Sequence, residues 1–248
     1  MIDGGVDLDR RFGGIIRLYG EKKFRLIQGC HICVVGIGGV GSWVAESLAR
    51  HGIGKITLID MDHIVESNIN RQIHALDSTD GESKIKAMKD RIIDINPTCL
   101  VDCIDDFLEE SNIESHISSK FDFIIDAIDQ SSVKISLAEY CQSKNLSLVM
   151  VGGAGGRVDP ARIKIADLSK TFGDPLISNI RKHFNNKNKL SESKYEIPTI
   201  FSDEPIIKSD ECETDQPGGG LSCDGYGSSL NITATMAFYV VAHIFSKI

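Results

Sequence analysis

The stretch His31–Asp60, HICVVGIGGVGSWVAESLARHGIGKITLID, decides the fold of this 248-residue chain. It begins and ends with a short apolar run, and each run is typical of a buried strand. Between the two runs, the segment Gly39–His51 carries apolar side chains at helical spacing. A glycine-rich turn joins the first strand to this helix. The stretch therefore predicts a strand–helix–strand unit with parallel strands.

The glycine-rich turn has the spacing of a phosphate-binding loop, with glycines at Gly36, Gly38, Gly39 and Gly41. In such a loop the first glycine makes the tight turn, the middle glycines let backbone N–H groups approach phosphates, and the last allows close helix packing. Asp60 ends the next strand, where a carboxylate accepts hydrogen bonds from ribose hydroxyls. We expect a bound nucleotide here; the alternative is that the glycines serve only the turn.

The alternation of strands and helices continues beyond this unit. Further strands are predicted at Leu100–Ile104, Phe121–Asp126 and Leu146–Val151, with helices at Glu82–Ile95 and Val133–Cys141. Strands that alternate with helices in this way form parallel sheets with both faces covered. The fold class is therefore predicted as α/β, a Rossmann-like and mostly parallel sheet flanked by helices.

The last third of the chain is less regular. It predicts one more strand at Ile163–Asp167, polar loops at Arg181–Lys194 and Ser209–Gly227, and a closing helix from about Ser228. We expect a single domain over residues 1–248. It comprises an N-terminal segment (1–30), a nucleotide-binding core (31–151), and a substrate-side region with the closing helix (152–248).

Composition excludes several classes of protein. The chain is 42% hydrophobic, which is incompatible with general disorder, and its net charge of −8 excludes a surface built to hold nucleic acid non-specifically. Seven cysteines with irregular spacing disfavour a secreted disulfide scaffold. Residues Met1–Arg10 lack the apolar core of a signal peptide, so a cytoplasmic location is expected. The lone pair Cys30 and Cys33 is interpreted as strand residues rather than a zinc or redox motif.

The polar residues that follow the second strand indicate which nucleotide binds. They are Asp62, Asn68, Arg71, Gln72 and Lys84. Two cations and two amides suit a triphosphate better than NAD, because they neutralise charge that develops when the α-phosphorus is attacked. Asp129 follows the fourth strand at the carboxyl edge of the sheet, where a carboxylate could hold Mg²⁺. The alternatives are solvated charges at Arg71 and Lys84, and helix caps at Asp126 and Asp129.

Several segments carry a resemblance to a known family. GIGGVGSW, LIDMD, SNINRQ and DAID resemble the superfamily of ubiquitin-activating-enzyme-like adenylyltransferases. Within it, RFGGIIRLYG (Arg11–Gly20), NRQIHAL (Asn70–Leu76), GGAGGRVDP (Gly152–Pro160) and DLSKTFGDPL (Asp167–Leu176) resemble the subgroup of tRNA threonylcarbamoyladenosine dehydratases. The resemblance extends over nearly the whole chain, and it is weakest from Ile177 to Gly220.

The resemblance implies ATP and Mg²⁺ as cofactors. It also implies ATP-dependent dehydration and cyclisation of N6-threonylcarbamoyladenosine in tRNA, through an acyl-adenylate. The four glycines, Asp60 and Asp62 would contact ATP, while Asn68, Arg71, Gln72 and Lys84 would contact its phosphates. Asp129 would be the carboxylate associated with Mg²⁺, and Arg71, Lys84 and Asp129 would be catalytic.

The resemblance further implies a homodimer with ATP near the subunit interface. Relatives that activate sulfur carriers have an R-x-x-R pair, whose second arginine reaches the ATP of the partner subunit. Here Arg11 matches the first arginine and the second is absent, so either Arg11 or Arg17 would have to reach the partner's ATP. The alternative function is an adenylyltransferase for the C-terminal glycine of a small sulfur-carrier or ubiquitin-like protein. The missing second arginine disfavours it, and so does the absence from the C-terminal half of the C-x-x-C pairs that hold a structural zinc in relatives of this kind. An NAD-dependent oxidoreductase or an inactive nucleotide-binding partner is a third hypothesis.

Three features of the sequence leave open which partners the protein binds. Basic residues in Arg181–Lys194, with His183 and Phe184, could grip a tRNA anticodon stem-loop or form a solvated loop; they are Arg181, Lys182, Lys187, Lys189 and Lys194. Cys212 and Cys223 are either functional or incidental thiols, and a sulfur-acceptor or helper protein is a further possible partner. The segment Leu230–Phe245 is interpreted as a buried core helix, with peripheral membrane contact as the alternative.

Overall fold

The computed structural model describes residues 7–187, 194–207 and 226–248. The strands in these ranges are β1 (His31–Val35), β2 (Lys55–Ile59), β3 (Leu100–Ile104), β4 (Phe123–Asp126), β5 (Leu148–Val151), β6 (Ile163–Asp167) and β7 (Pro198–Ser202). The α-helices are α1 (Leu8–Tyr19), α2 (Glu21–Gly29), α3 (Gly39–Arg50), α4 (Lys84–Ile95), α5 (Ile113–His116), α6 (Ser131–Ser143), α7 (Pro175–Lys187) and α8 (Leu230–Lys247).

The strands form one sheet in the order β3-β2-β1-β4-β5-β7-β6. Neighbouring strands are parallel except β6, which runs antiparallel to β7. The predicted α/β fold with a mostly parallel sheet is therefore confirmed. Because β1, β2, β4 and β5 are parallel, the turns that follow them meet at the same carboxyl edge.

Helices cover both faces of the sheet. On one face α3, α4 and α8 bury residues such as Val44, Met88 and Met236 against the strands. On the other face, Leu137 of α6 and Ile177 of α7 join a second apolar cluster. Strands buried between two such layers read as continuous apolar runs, which is why β1 and β5 were visible in the sequence.

The prediction of a loop at Arg181–Lys194 is wrong for the first half of that segment, because the residues up to Lys187 belong to α7. The apolar residues Ile177, Ile180 and Phe184 lie on one face of that helix and are buried. Phe184 is only 1% exposed and packs on Tyr195. It is therefore a core residue and cannot grip RNA, contrary to our interpretation.

The predicted core helix at the end of the chain is confirmed as α8, which packs mainly on α3. Its residues Ile232, Val240 and Ile244 are fully buried, whereas Phe238 is 48% exposed. Among the described residues, no helix has both the length and the apolar character to cross a membrane.

Charged side chains occupy both edges of the sheet. Lys55 pairs with Asp102 on the outer strand β3, with Nζ and Oδ2 2.8 Å apart. At the opposite edge, Lys164 of β6 pairs with Asp203.

The lone cysteine pair, Cys30 and Cys33, also follows the prediction in part. Cys33 is buried within β1, and half-buried Cys30 precedes the strand with its thiol pKa raised by burial to about 11.

Candidate nucleotide-binding site

Two of the turn glycines are required by close backbone contacts. Gly36 has a φ of +86°, and a Cβ at this position would lie 2.9 Å from the carbonyl oxygen of Ala127. A Cβ on Gly41 would lie 1.8 Å from the carbonyl oxygen of Gly36, which no side chain permits. These two glycines serve the tight turn and the close packing of α3 on β1.

The other two glycines leave the start of α3 accessible. Among the described residues, no side chain caps the first turn of this helix, and uncapped N–H groups at a helix start are suited to binding an anion. A Cβ on Gly38 would meet only Gln72, 4.0 Å away, whereas a Cβ on Gly39 would meet Thr233 and the side chain of Arg71. A cation and an amide therefore lie beside the helix terminus.

Asp60 links this turn to the one that follows β2. Its Oδ2 accepts a 2.6 Å hydrogen bond from Ile37 N, and its Oδ1 accepts one of 2.8 Å from Asp62 N. Burial raises the pKa of the Asp60 carboxyl, an effect that these hydrogen bonds and nearby Lys84 oppose. The carboxylate is thus fixed at the carboxyl edge, where the sequence predicted a ribose contact.

Lys84, the first residue of α4, is not the solvated surface charge of our alternative interpretation. It is only 6% exposed, and its Nζ lies 2.6 Å from Oδ2 of Asp62. Its backbone N also donates to the carbonyl oxygen of Asp62, at 3.0 Å. A buried ammonium group is thereby held in one position beside Asp60.

The segment Asn68–Gln72 lies against the glycine turn, with Gln72 beside Gly38 and Arg71 beside Gly39. Arg71 is half-buried and donates to the carbonyl oxygen of Ser67 and to Asn70 Oδ1, at 2.7 and 3.0 Å. Gln72 is buried, and its Oε1 has no hydrogen-bond partner in the structure. Asn68, in contrast, uses its Oδ1 to accept from Val65 N at 3.3 Å, which is a local structural role.

Asp126 and Asp129 differ in position. Asp126 ends β4, is fully buried, and pairs with Lys134, so the alternative of a helix cap at this residue is wrong. Asp129 is half-buried in the loop between β4 and α6. Among the described residues, no group of three or more His, Cys, Asp or Glu side chains could hold a metal ion.

The loop after β5 lies beside the same edge. The N of Gly156 donates to the carbonyl oxygen of Gly227 at 2.7 Å, and the carbonyl oxygen of Ser228 accepts from Asn70 Nδ2 at 2.9 Å. The segment Tyr226–Ser228 therefore spans from the glycine-rich loop at Gly152–Gly156 to the nucleotide turn. These hydrogen bonds therefore connect the Gly152–Gly156 loop with the segment that carries Arg71 and Gln72.

The remaining candidates lie elsewhere. Arg11 donates to the carbonyl oxygens of Asp94 and Ile95 at the end of α4, at 3.2 and 2.6 Å. Lys182 is exposed on α7 and Arg181 beside it is half-buried. Three other predicted residues, Lys189, Cys212 and Cys223, lie outside the described residues.

Sequence reasoning missed three residues of this region. Lys134 is fully buried beside Asp126, and Thr233 of α8 touches Gly39. His74 is 2% exposed, and neither of its ring nitrogens has a hydrogen-bond partner among the described residues. Burial lowers the pKa of His74 to about 4. The close position of His74 to the predicted Gln72 was the available signal; Thr233 is brought in only by tertiary packing.

Comparisons with known proteins agree with this geometry. The model of the ThiF family matches residues 12–209. A tRNA threonylcarbamoyladenosine dehydratase of Haemophilus influenzae is 43% identical over 244 residues, which cover 97% of this chain and 94% of the relative. The enzyme of the same name from Escherichia coli K12 is 44% identical over 249 residues, covering 96% and 93%.

Solved structures give the same result. The crystal structure of the E. coli tRNA N6-threonylcarbamoyladenosine dehydratase in complex with ATP has a TM-score of 0.87 and 42% identity, covering 98% of this chain and 95% of that one. Its complex with AMP has a TM-score of 0.88 at 42% identity, covering 100% and 97%. The chain therefore belongs to the ThiF family and, within it, to the tRNA threonylcarbamoyladenosine dehydratases.

Proposed function

We propose that this chain dehydrates and cyclises N6-threonylcarbamoyladenosine in tRNA at the expense of ATP. The observation that carries the proposal is the convergence of the uncapped helix start at Gly39, the buried ammonium of Lys84 and the half-buried Arg71 at one sheet edge. Dehydratases 43–44% identical to this chain match it over 96–97% of its length, and a solved relative holds ATP.

The chemistry needs activation of a poor electrophile. The threonyl carboxylate attacks the α-phosphorus of ATP, which forms an acyl-adenylate and expels pyrophosphate. A nitrogen or oxygen of the same side chain then attacks the acyl carbon, loses its proton and expels AMP. The lost oxygen leaves on AMP, so the product is one water lighter, and the ring closure requires only orientation.

The residues of the site would act mainly by electrostatics. The N-terminus of α3, Arg71 and Lys84 would stabilise negative charge on the triphosphate as pyrophosphate departs. Asp62 holds the Lys84 ammonium through a 2.6 Å contact, so the cation needs no reorganisation during the reaction. The amide oxygen of Gln72, which has no partner among the described residues, would accept a hydrogen bond from a donor group of the nucleotide.

Mg²⁺ is compatible with the residues present. It commonly binds through one or two carboxylates and substrate phosphates, so a single half-buried carboxylate at Asp129 suffices when the nucleotide supplies the other oxygens. Bound there, the ion would neutralise phosphate charge. The proposal also includes a homodimer, which the family resemblance implies, and a cytoplasmic location.

Mass spectrometry of nucleosides tests the proposed reaction. Threonylcarbamoylated tRNA is incubated with the protein and Mg²⁺·ATP, and we expect the modified adenosine to lose one water. Lys84→Met and Asp129→Ala should each reduce the rate at least 100-fold, the order found when one preorganised electrostatic group is removed.

Lys86→Met is the matched control, because Lys86 lies on the same helix but is exposed and pairs with Glu82 and Asp90. Its activity should equal that of the unmodified protein. An unchanged nucleoside mass, combined with ATP–pyrophosphate exchange that requires a small carrier protein, would instead support the sulfur-carrier adenylyltransferase.

A further inference from the structure

A fully buried ion pair between Lys134 and Asp126 lies at the end of β4. Nζ of Lys134 lies 2.8 Å from Oδ1 of Asp126, and both side chains are 0% exposed. The same ammonium donates to the backbone carbonyl oxygen of Asp126 at 3.2 Å. The pair therefore fastens helix α6 to the last residue of the strand.

Stability alone is a weak reason for such a pair. Removing two charges from water costs about as much as their attraction returns, and apolar residues of similar size are often equally stable or better. Here the second carboxylate oxygen of Asp126, Oδ2, is buried and has no hydrogen-bond partner in the part of the chain that the structure describes, which adds to the cost of the pair. The pair should consequently contribute something other than net stability.

The loop after β4 depends on this carboxylate. Oδ1 of Asp126 also accepts a hydrogen bond from Ile128 N at 3.1 Å, and Ala127 N donates to the Val35 carbonyl oxygen at 2.9 Å. The carbonyl oxygen of Ala127 lies against Gly36, where a Cβ would approach it to 2.9 Å. The loop is thus fixed directly against the first glycine of the nucleotide turn.

Asp129 is the next residue of the same loop. Lys134 and Asp126 face away from solvent and cannot touch substrate, but they set the path of the backbone that carries Asp129 past the glycine turn. We propose that the Lys134–Asp126 ion pair is a positioning pair, which holds Asp129 in register with the nucleotide turn for adenylation. This inference rests on the proposed function.

An apolar replacement of both partners tests it. Lys134→Met alone would leave a buried unpaired carboxylate and is expected to unfold the protein. The double variant Asp126→Leu/Lys134→Met removes both charges, so its thermal midpoint should equal or exceed that of the unmodified protein. We expect its kcat for tRNA dehydration to fall about 10- to 100-fold, because small misplacements of a catalytic group cost this much. The KM for tRNA should not change.

Two further readouts separate positioning from a general structural effect. Hydrogen exchange of the Ile128 amide should accelerate about 10-fold in the double variant, since its acceptor is lost. In an Asp129→Ala background, the double replacement should cause no further loss of activity, because residues that act through one group are not additive. The surface pair change Lys55→Met/Asp102→Leu is the control, and it should alter neither exchange at Ile128 nor turnover.

Three results would overturn the inference. They are full turnover in the double variant, unchanged exchange at Ile128, or a loss that adds to that of Asp129→Ala. Failure of the proposed function looks different, because the unmodified protein would then leave the modified adenosine unchanged. The exchange measurement needs no substrate and reports on the loop in either case.

Discussion

At the scale of single residues, the site combines groups of two kinds. Gly36, Gly41 and Asp60 are committed to backbone contacts that shape the turn. Gln72 and His74, in contrast, are buried polar side chains with unsatisfied atoms. Buried polar atoms are nearly always hydrogen-bonded in folded proteins, so we expect a bound ligand or water to supply partners to these atoms.

His74 predicts a specific dependence of stability on pH. Burial, and then the charges of Lys84 and Arg91, lower the pKa of His74 from 6.5 to about 4. The unfolded chain therefore binds a proton between these values that the folded protein does not, and stability falls as the pH drops through this window. At roughly 1.4 kcal/mol per pKa unit, His74 should lower the free energy of unfolding by about 2.5 kcal/mol between pH 7 and 4.5. The variant His74→Leu should not show this part of the decrease.

Urea unfolding at the two pH values measures this difference. His63→Gln serves as the control, because His63 is exposed, and it should leave the pH dependence unchanged. Equal acid sensitivity of His74→Leu and the unmodified protein would show that His74 is not the group responsible.

At the scale of elements, apolar runs and helical spacing in the sequence located most of the sheet and its covering helices. The strands β1 to β5 and helices α3, α4, α6 and α8 were all located to within a few residues. Helix α7 was mistaken for a loop because its polar face dominates the composition, although Ile177, Ile180 and Phe184 follow helical spacing. Strand β7 was missed because five residues beginning with a proline carry little local signal.

The same division applies to the site. The glycines and Asp60 follow predicted strands directly, so their common edge could be inferred from parallel topology. Thr233 and the pair Lys134–Asp126 depend on how helices pack on the sheet. Periodicity does not report such tertiary contacts, and they became visible only in the structure.

The start of α7 gives an element-scale prediction. Asp174 accepts hydrogen bonds from Ile177 N at 3.1 Å and Gly153 N at 3.0 Å, and it faces buried Arg157 at 3.3 Å. Asp174→Ala should therefore cost about 3–5 kcal/mol of stability, since it leaves a buried guanidinium uncompensated. Asp159→Ala removes only an exposed cap on Ala161 N and should cost about 1 kcal/mol. Urea unfolding compares the two, and equal losses would contradict this account.

At the scale of the whole molecule, charge is unevenly distributed. The chain carries a net charge of −8, yet Lys84, Lys134 and Arg157 are buried cations gathered at or near the carboxyl edge of the sheet. An acidic protein that binds RNA must do so through local positive surfaces, because its overall field is repulsive. We expect the exposed part of α7, which carries Lys182 and the half-buried Arg181, to be such a surface.

Salt dependence tests that surface. Arg181→Ala/Lys182→Ala should weaken binding of threonylcarbamoylated tRNA and make the slope of log affinity against log salt less negative by about 2, one unit per lost phosphate contact. Filter binding between about 50 and 200 mM salt measures the slope. Lys22→Ala/Lys86→Ala makes the same change of charge on other helices and should leave the slope unaltered. Identical slopes for the two double variants would exclude α7 from the RNA interface.

The charged residues at the two outer strands have a consequence for the protein at high concentration. Any further strand that joined β3 or β6 from another copy would have to strip water from Lys55 and Asp102, or from Lys164 and Asp203. Charged outer strands are a common defence against edge-to-edge aggregation. These charges should therefore keep the sheet from adding strands of other copies and growing into fibrils in concentrated solution.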